Sequence, residues 1–182
     1  MNGLNHGHSL EASAWVRRHA PLIAPGGRVL DLACGRGRHA RLLAGMGFAV
    51  EAVDRSGEDL AELAGLLNVA TRQADLEGGP WPYAGRAFDG IVVANYLHRP
   101  LFPKIAAALA EGGVLIYETF MLGNERFGRP ANPAFLLRPG ELLEAFAGLR
   151  IVAFEQGEVA QPKPAVGQRL CAVVGDAPCR LP

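Results

Sequence analysis

The sequence predicts an α/β fold, a doubly wound and mostly parallel sheet of seven strands that ends in an antiparallel hairpin. Two observations carry this prediction. Short apolar segments alternate with helix-like segments along the first 120 residues, as in parallel sheets with helices on both faces. The last two apolar segments are joined by too few residues for a crossover helix, which indicates a hairpin.

The predicted strands are short, and most of them begin after a turn or a glycine. They cover residues 28–32, 48–53, 69–74, 88–94, 114–120, 149–156 and 168–174. Helices are predicted between them at residues 10–19, 39–46, 56–67, 100–111 and 139–147. Ser9 and Ser56 are the expected caps of the first and third helices. Glycine and proline make residues 76–86 a loop.

The composition is that of a globular domain. Of 182 residues, 49% are hydrophobic, and 18 basic residues balance 18 acidic ones. No global charge therefore favours nucleic acid or an anionic membrane. No apolar run reaches the roughly 18 residues that span a bilayer, and the N-terminus lacks the pattern of a signal peptide. We expect one cytoplasmic domain over residues 1–182, with residues 1–8 as a flexible tail.

The cysteines and histidines do not predict a metal site. Cys34, Cys171 and Cys179 are odd in number and lack a C-x-x-C spacing, so reduced thiols are expected rather than disulfides or a zinc centre. His6 and His8 form an isolated pair with no carboxylate or cysteine cluster near them in sequence.

The glycine loop after the first strand indicates a nucleotide-like ligand. Gly35-x-Gly37-x-x-Ala40 fits the fingerprint G-x-G-x-x-G/A, in which glycine lets the backbone approach a ligand closely. Asp31 stands four residues before Gly35. Its charge would repel a pyrophosphate but would suit an ammonium group. Asp31 therefore favours an adenosine cofactor that carries an ammonium over a dinucleotide.

Two more acids follow the next two strands. Asp54 lies 23 residues after Asp31, where an acid can accept both ribose hydroxyls. Asp75 follows the third strand and could accept an adenine amino group. Each acid alone is as well explained as a helix cap or a loop carboxylate. Their placement at consecutive strand ends, together with the glycine loop, favours a nucleoside site.

Five ordered segments carry a resemblance to a known family. They are VLDLACGRGRHARLLA, VEAVDRS, ADL, FDGIVVANYLH and GGVLIYETF. Together they resemble the motifs of the class I S-adenosylmethionine-dependent methyltransferases, a Rossmann-like family whose seventh strand is antiparallel. The resemblance covers about residues 10–175. Within the family, GRGRHARLLAGMGFAVEAVD is most similar to the tellurite-resistance (TehB-like) branch.

The resemblance implies a cofactor site at the ends of the first four strands. Its residues are Asp31, Ala33, Cys34, Gly35, Gly37, Asp54, Arg55, Asp75, Leu76 and Asn95. Asp31 would hold the methionine ammonium, and Asn95 would offer its carbonyl to the same group. Asp54 would bind the ribose hydroxyls, Arg55 would lie along the adenine, and Asp75 would accept the adenine amino group. Within this loop Cys34 is expected to be a small packed residue.

The candidate catalytic residues, Tyr96, His98 and Arg99, follow the fourth strand. His98 suits proton transfer near neutral pH, although a base is needed only if the acceptor starts out protonated. His98 could instead cap or pack the next helix, and Tyr96 could pack on the cofactor. This segment lacks the [DN]-P-P-[YF] signature of many nucleic-acid amino methyltransferases.

The long loop at residues 121–139 is a candidate lid. Arg99, Arg126, Arg129 and Arg138 could form a basic mouth for an anionic substrate. They could equally pair with Glu125 and Glu141. Trp15 could close the pocket or only pack its helix, and Glu118 could bind a substrate cation or an arginine.

We therefore expect methyl transfer from S-adenosylmethionine, by in-line displacement, to a small acceptor that is an anion or a soft nucleophile. An RNA or protein methyltransferase and an NAD(P)-binding oxidoreductase are the alternatives. A cofactor-binding subunit that needs a second chain for turnover is also open. The sequence names neither the acceptor nor the oligomeric state.

Overall fold

A computed structural model describes residues 11–161 and 163–175. One sheet contains seven strands: β1 Arg28–Leu32, β2 Ala49–Asp54, β3 Val69–Gln73, β4 Phe88–Ala94, β5 Leu109–Phe120, β6 Arg150–Val159 and β7 Ala165–Val173. Their order across the sheet is β3-β2-β1-β4-β5-β7-β6. Strands β1 to β5 pair in parallel, and β7 runs antiparallel to both β5 and β6. The predicted fold class is confirmed.

Helices cover both faces of the sheet. They are α1 Ala14–His19, α2 Arg38–Gly45, α3 Gly57–Ala61, α4 Phe102–Ala107 and α5 Glu141–Ala145. One buried apolar cluster includes Phe102 of α4 and Leu142 of α5. The other includes Trp15 of α1 and Leu43 of α2. The order of the strands reverses between β1 and β4, so the carboxyl ends of these strands form the crevice in which α/β proteins bind ligands.

Four of the five helices are shorter than predicted, and α2 has the predicted length but begins one residue earlier. α1 begins at Ala14 because the Ser13 side chain accepts the Trp15 N–H at 3.1 Å. Ser56 is confirmed as the cap of α3, since its hydroxyl accepts the Asp59 N–H at 3.2 Å. That helix ends at Ala61 and continues only as turns. Ser9, Cys179, His6, His8 and the predicted tail, residues 1–8, lie outside the described residues.

The prediction of helix over residues 108–111 was wrong, because Ala108 forms a turn and residues 109–111 already belong to β5. The backbone N–H of Phe88 donates to the Ala108 carbonyl at 2.9 Å, and Phe88 pairs with Leu109. A register shift then brings Val114 opposite Gly90. This early pairing with β4 competes with the last helical turn and ends α4 at Ala107.

Backbone hydrogen bonds anchor the two ends of the loop between β5 and α5. The Met121 N–H donates to the Val166 carbonyl, and the Leu122 N–H donates to the Leu137 carbonyl, both at 2.9 Å. Leu137 is fully buried. Most side chains between residues 125 and 135 are exposed. Any movement of this loop is therefore confined to its outer part.

Two features are absent from the described residues. None of their helices is long and apolar enough to pass through a bilayer. Nor do residues 11–161 and 163–175 gather three or more histidine, cysteine, aspartate or glutamate side chains in a way that could hold a metal ion.

Candidate functional site

The loop between β1 and α2 turns through left-handed backbone. Ala33, Gly35 and Gly37 have φ values of 56°, 52° and 72°. A Cβ on Gly37 would run into the Leu63 side chain, so glycine is needed there for packing. A Cβ on Gly35 would meet nothing within 4 Å. The space beside Gly35 is therefore open, as a loop that cradles a ligand requires.

Asp31 is buried behind this loop and is only partly satisfied. Its side chain is 1% exposed, and its Oδ2 atom has no hydrogen-bond partner among the described residues. Burial raises the pKa of Asp31 to about 7, although a hydrogen bond from the Ala40 backbone opposes the shift. An unpaired buried carboxylate oxygen is costly unless a cation or a donor completes it. The arrangement fits a ligand that presents an ammonium group at this point.

Asp54 joins the end of β2 to the glycine loop. Its Oδ2 accepts the Gly35 N–H at 2.8 Å, and its Oδ1 accepts the Ser56 N–H at 2.9 Å. Each carboxylate oxygen can accept a second hydrogen bond, so Asp54 retains capacity for ligand hydroxyls. The next residue, Arg55, has an exposed side chain.

Asp75 shapes the turn that follows β3. Its Oδ1 accepts the N–H groups of Gly78 at 3.1 Å and Glu77 at 3.0 Å, which lower the pKa of Asp75. The side chain is exposed, and its Oδ2 makes no hydrogen bond within the described chain. Leu76 is buried in the core beside it, 8% exposed. Asp75 is thus held rigidly with one oxygen free.

The segment after β4 reaches the same edge of the sheet. Asn95 has a φ of 57°, and its N–H donates to the Glu118 carbonyl at 2.9 Å. The Tyr117 hydroxyl donates to the Tyr96 carbonyl at 2.9 Å. Burial raises the pKa of the Tyr96 phenol. His98 is half-buried and lies close enough to Asp75 to help lower the pKa of that carboxyl.

Arg99 does not lie free at a pocket mouth. Its Nε and one Nη donate to the two oxygens of the Glu141 carboxylate at 2.6 and 3.0 Å. The remaining bonds go to the carbonyls of Ala134 at 2.8 Å and Leu136 at 2.9 Å. Four guanidinium donors are thereby engaged. Arg99 therefore links the segment after β4 to α5. Its ion pair with Glu141 is one of the two roles that the sequence analysis gives for Arg99.

Two more arginines of the expected basic mouth are also paired. Arg126 contacts Glu158 at 3.2 Å, and Arg138 contacts Glu144 at 3.2 Å. Trp15 is 4% exposed, and its indole N–H donates to the Leu170 carbonyl at 3.4 Å. Trp15 thus packs α1 against β7. The prediction that four arginines form a basic mouth is therefore wrong. Of these four, only Arg129 has no ion-pair partner among the described residues.

Cys34 behaves as a packed side chain. It is 8% exposed, and its Sγ donates to the Gly35 carbonyl at 3.4 Å. Burial first, and then the negative charges of Asp31 and Asp54, raise the pKa of this thiol. A neutral, buried thiol is a poor nucleophile.

Three features of this edge were not anticipated from the sequence. His39 is buried, and desolvation lowers its pKa to about 3, so its neutral Nε2 accepts the Ser13 N–H at 3.3 Å. Glu118 contacts Arg169 at 3.5 Å, an arginine of β7 rather than of the loop that follows β5. Lys163 lines a cavity described below. No periodicity or motif marks any of these contacts.

The volumes of the open cavities do not locate the site. A cavity of 390 Å³ opens at the amino-terminal ends of β1 and β2 and is lined by Arg28, Asn68 and Arg86. It lies at the edge opposite Asp31 and the glycine loop. Chemistry and topology, rather than volume, therefore identify the candidate site.

Residues 29–113 match the family described as Methyltransferase domain. A protein-L-isoaspartate O-methyltransferase of Chlorobaculum tepidum is 33% identical over 113 residues, which cover 56% of this chain and 49% of that protein. The chain thus spans about half the length of this curated relative.

Solved structures share the fold. TehB from Haemophilus influenzae matches with a TM-score of 0.74 and 20% identity over 90% of this chain and 63% of that one. A Burkholderia thailandensis 1,6-didemethyltoxoflavin-N1-methyltransferase, solved with bound 1,6-didemethyltoxoflavin and S-adenosylhomocysteine, matches with a TM-score of 0.67 and 23% identity over 93% of this chain and 80% of that one. The strand order and the antiparallel β7 agree with these structures, and the chain has the Rossmann-like fold of the class I S-adenosylmethionine-dependent methyltransferases.

Proposed function

We propose that this protein transfers a methyl group from S-adenosylmethionine to a small-molecule acceptor. The observation that carries the proposal is the Oδ2 atom of Asp31, which is buried without a partner behind the open glycine loop. A dinucleotide would bring pyrophosphate charge towards this carboxylate, which argues against an NAD(P) oxidoreductase.

Residues at four strand ends would hold the donor. Asp31 would bind the ammonium, with the backbone carbonyl of Asn95 as a second acceptor. Each carboxylate oxygen of Asp54 accepts one backbone N–H, from Gly35 or Ser56, and would accept a ribose hydroxyl as its second hydrogen bond. Asp75 would accept the adenine amino group with its free oxygen, and Arg55 would lie along the ring. When bound, S-adenosylmethionine supplies an activated methyl group for in-line displacement.

The chain's own part in the reaction is positioning and exclusion of water. Tyr96 and His98 follow β4 at the edge where the acceptor would lie. His98 is the candidate to take a proton, if the acceptor carries one. The ion pair of Arg99 with Glu141 would hold this segment in place rather than contact the acceptor.

We place this activity in the cytoplasm. Support comes from Cys34, which is a buried free thiol, and from the balanced composition. That balance also supports a small acceptor over a nucleic acid.

Protein methylation is a second candidate. It is favoured by the likeness to the Chlorobaculum tepidum protein-L-isoaspartate O-methyltransferase. An isoaspartyl peptide and the same peptide with a normal aspartyl linkage, each incubated with labelled S-adenosylmethionine, distinguish the candidates. Label transferred only to the isoaspartyl peptide would establish protein methylation and displace the small-molecule proposal.

Calorimetric titration with S-adenosylhomocysteine, S-adenosylmethionine and NAD tests the donor. We expect the two adenosyl ligands to bind and NAD not to bind. The Asp31→Asn variant should bind S-adenosylhomocysteine at least about tenfold more weakly, because a charge-assisted contact is lost. Glu58→Gln, an exposed carboxylate on α3, is the control and should bind normally. Binding of NAD alone would refute the proposal.

A further inference from the structure

A second cavity lies at the carboxyl edge of the sheet. Its volume is 330 Å³, and it lies between the end of β5, the loop that follows β5, and the start of β7. Phe120 and Phe127 give it two aromatic side chains, and Arg129 and Lys163 give it two cationic ones. Ligand pockets start at about 300 Å³, so this volume admits a molecule of one or two rings.

The two cations of this cavity are free to meet a ligand. Within residues 11–161 and 163–175, neither Arg129 nor Lys163 has an ion-pair partner, whereas the nearby Arg126 and Arg138 are both paired with glutamates. No acidic residue lines the cavity. The local charge is therefore positive and uncompensated, which favours an anion.

The wall of the cavity is a built structure. Asn124 is 2% exposed; its side-chain amide donates to the Pro130 carbonyl at 3.1 Å, and its Oδ1 accepts the Val166 N–H at 3.1 Å. These bonds hold the segment that carries Phe127 and Arg129 against β7. A fixed wall lowers the conformational entropy that a ligand must overcome on binding.

The cavity also lies at the edge where the acceptor would bind. Ala94 at the end of β4 pairs with Glu118 of β5, and Phe120 lies two residues further towards the same edge. Only β4 separates β5 from β1. With about 4.8 Å between neighbouring strands, β5 lies about 10 Å from the strand that carries Asp31.

We infer that this cavity is an acceptor subsite for a small aromatic molecule that carries a carboxylate. The phenyl rings of Phe120 and Phe127 would contact its flat apolar body, and Arg129 and Lys163 would bind its anionic group. The inference rests on the proposed methyl-transfer function, because it assigns the acceptor of that reaction. In this proposal the anion contacts one arginine and one lysine, instead of the four arginines that the sequence predicts.

Binding of naphthoate tests the inference, with naphthylmethanol as the neutral analogue and inorganic phosphate as the anion without a ring. Calorimetry or ligand-observed NMR on the full chain should show naphthoate binding at least about tenfold more tightly than either. Arg129→Gln and Lys163→Gln should each weaken naphthoate by about tenfold. Lys104→Gln removes an exposed charge on α4 and should change nothing. Phe127→Ala should weaken naphthoate and leave phosphate unaffected.

A titration of S-adenosylhomocysteine separates this inference from the proposed function. We expect naphthoate and S-adenosylhomocysteine to bind together, because their sites lie over different strands. Competition between them, equal naphthoate affinity in the wild type and in a variant that combines Arg129→Gln with Lys163→Gln, or phosphate binding as tightly as naphthoate would each overturn the subsite. Failure of S-adenosylhomocysteine to bind would count against methyl transfer, while the naphthoate data would still decide whether the cavity binds aromatic anions.

Discussion

The Asp54 carboxylate accepts a 2.8 Å hydrogen bond from the backbone N–H of Gly35 and thereby joins the end of β2 to the loop after β1. Its other oxygen accepts the Ser56 N–H at 2.9 Å, just before α3. One side chain thus fixes two backbone segments that flank the proposed ribose position. Loop geometry and ligand affinity are therefore coupled at Asp54.

The first prediction is that Asp54→Ala weakens both the fold and the donor site. The N–H groups of Gly35 and Ser56 lose their acceptor, which should lower the free energy of unfolding by about 1–3 kcal/mol. Affinity for S-adenosylhomocysteine should fall more than about tenfold. Urea unfolding and calorimetry measure the two effects. Glu58→Ala is the matched control, and unchanged affinity in Asp54→Ala would show that the ribose assignment is wrong.

The second prediction separates two glycines of one loop. Gly37→Ala should lower the free energy of unfolding by about 2–4 kcal/mol, because left-handed backbone and overlap with Leu63 both oppose the new methyl group. Gly35→Ala meets no neighbour and should cost only about 1–2 kcal/mol. It should nevertheless reduce affinity for S-adenosylhomocysteine more strongly than its stability loss implies. Equal unfolding costs for the two variants would contradict this assignment.

The third prediction is that the ion pair of Arg99 with Glu141 stabilises the fold. Arg99→Ala leaves the Glu141 carboxylate, with 6% of its side chain exposed, without its bidentate partner. Because Arg99 itself is 38% exposed, solvent screening reduces the cost below that of a fully buried pair. We expect a loss of about 1–3 kcal/mol in urea unfolding, with little rescue by Arg99→Lys, since lysine cannot form the planar fork.

A double-mutant cycle tests whether the two side chains act as a pair. Glu141→Gln should destabilise the protein less in the Arg99→Ala background than in the wild type. Additive losses would mean that Arg99 acts through its bonds to the carbonyls of Ala134 and Leu136 instead.

The strands could be predicted because their pattern is local. β1 and β4 were predicted at the bounds that the structure shows, since each is a short, mostly apolar segment that follows a turn and precedes a loop. The end of α4 could not be predicted. It depends on the pairing of Phe88 with Leu109, a tertiary contact between residues whose own helix propensities give no warning of it.

In the candidate site, too, local sequence features could be predicted and tertiary contacts could not. Strand ends and glycines are sequence features, so Asp31, Asp54 and Asp75 could be singled out in advance. The partners of charged side chains are not sequence features. Whether Arg99 is free depends on the position of Glu141, 42 residues away in the chain, and only the folded structure decides it.

The fourth prediction is a pH dependence that Asp31 imposes on stability. Burial raises its pKa from 3.8 to about 7 in the folded chain. Between these values the unfolded chain has lost the proton and the folded chain keeps it, so the free energy of unfolding falls as pH rises from about 4 to about 7. Some three pKa units correspond to about 4 kcal/mol. Asp31→Asn lacks this slope, so its stability relative to the wild type should increase across that range and then level off.

The same carboxyl links ligand affinity to pH with the opposite sign. An ammonium binds the ionised form of Asp31, so affinity of the wild type for S-adenosylhomocysteine should rise as pH increases from 6 towards 7.5. Asp31→Asn should bind weakly and without that component of the pH dependence. Calorimetry in buffers of different ionisation enthalpy should detect a proton released on binding near pH 6.5 by the wild type only. If the two proteins released the same number of protons, the ammonium would not contact Asp31, and the unpartnered Oδ2 atom would need another explanation.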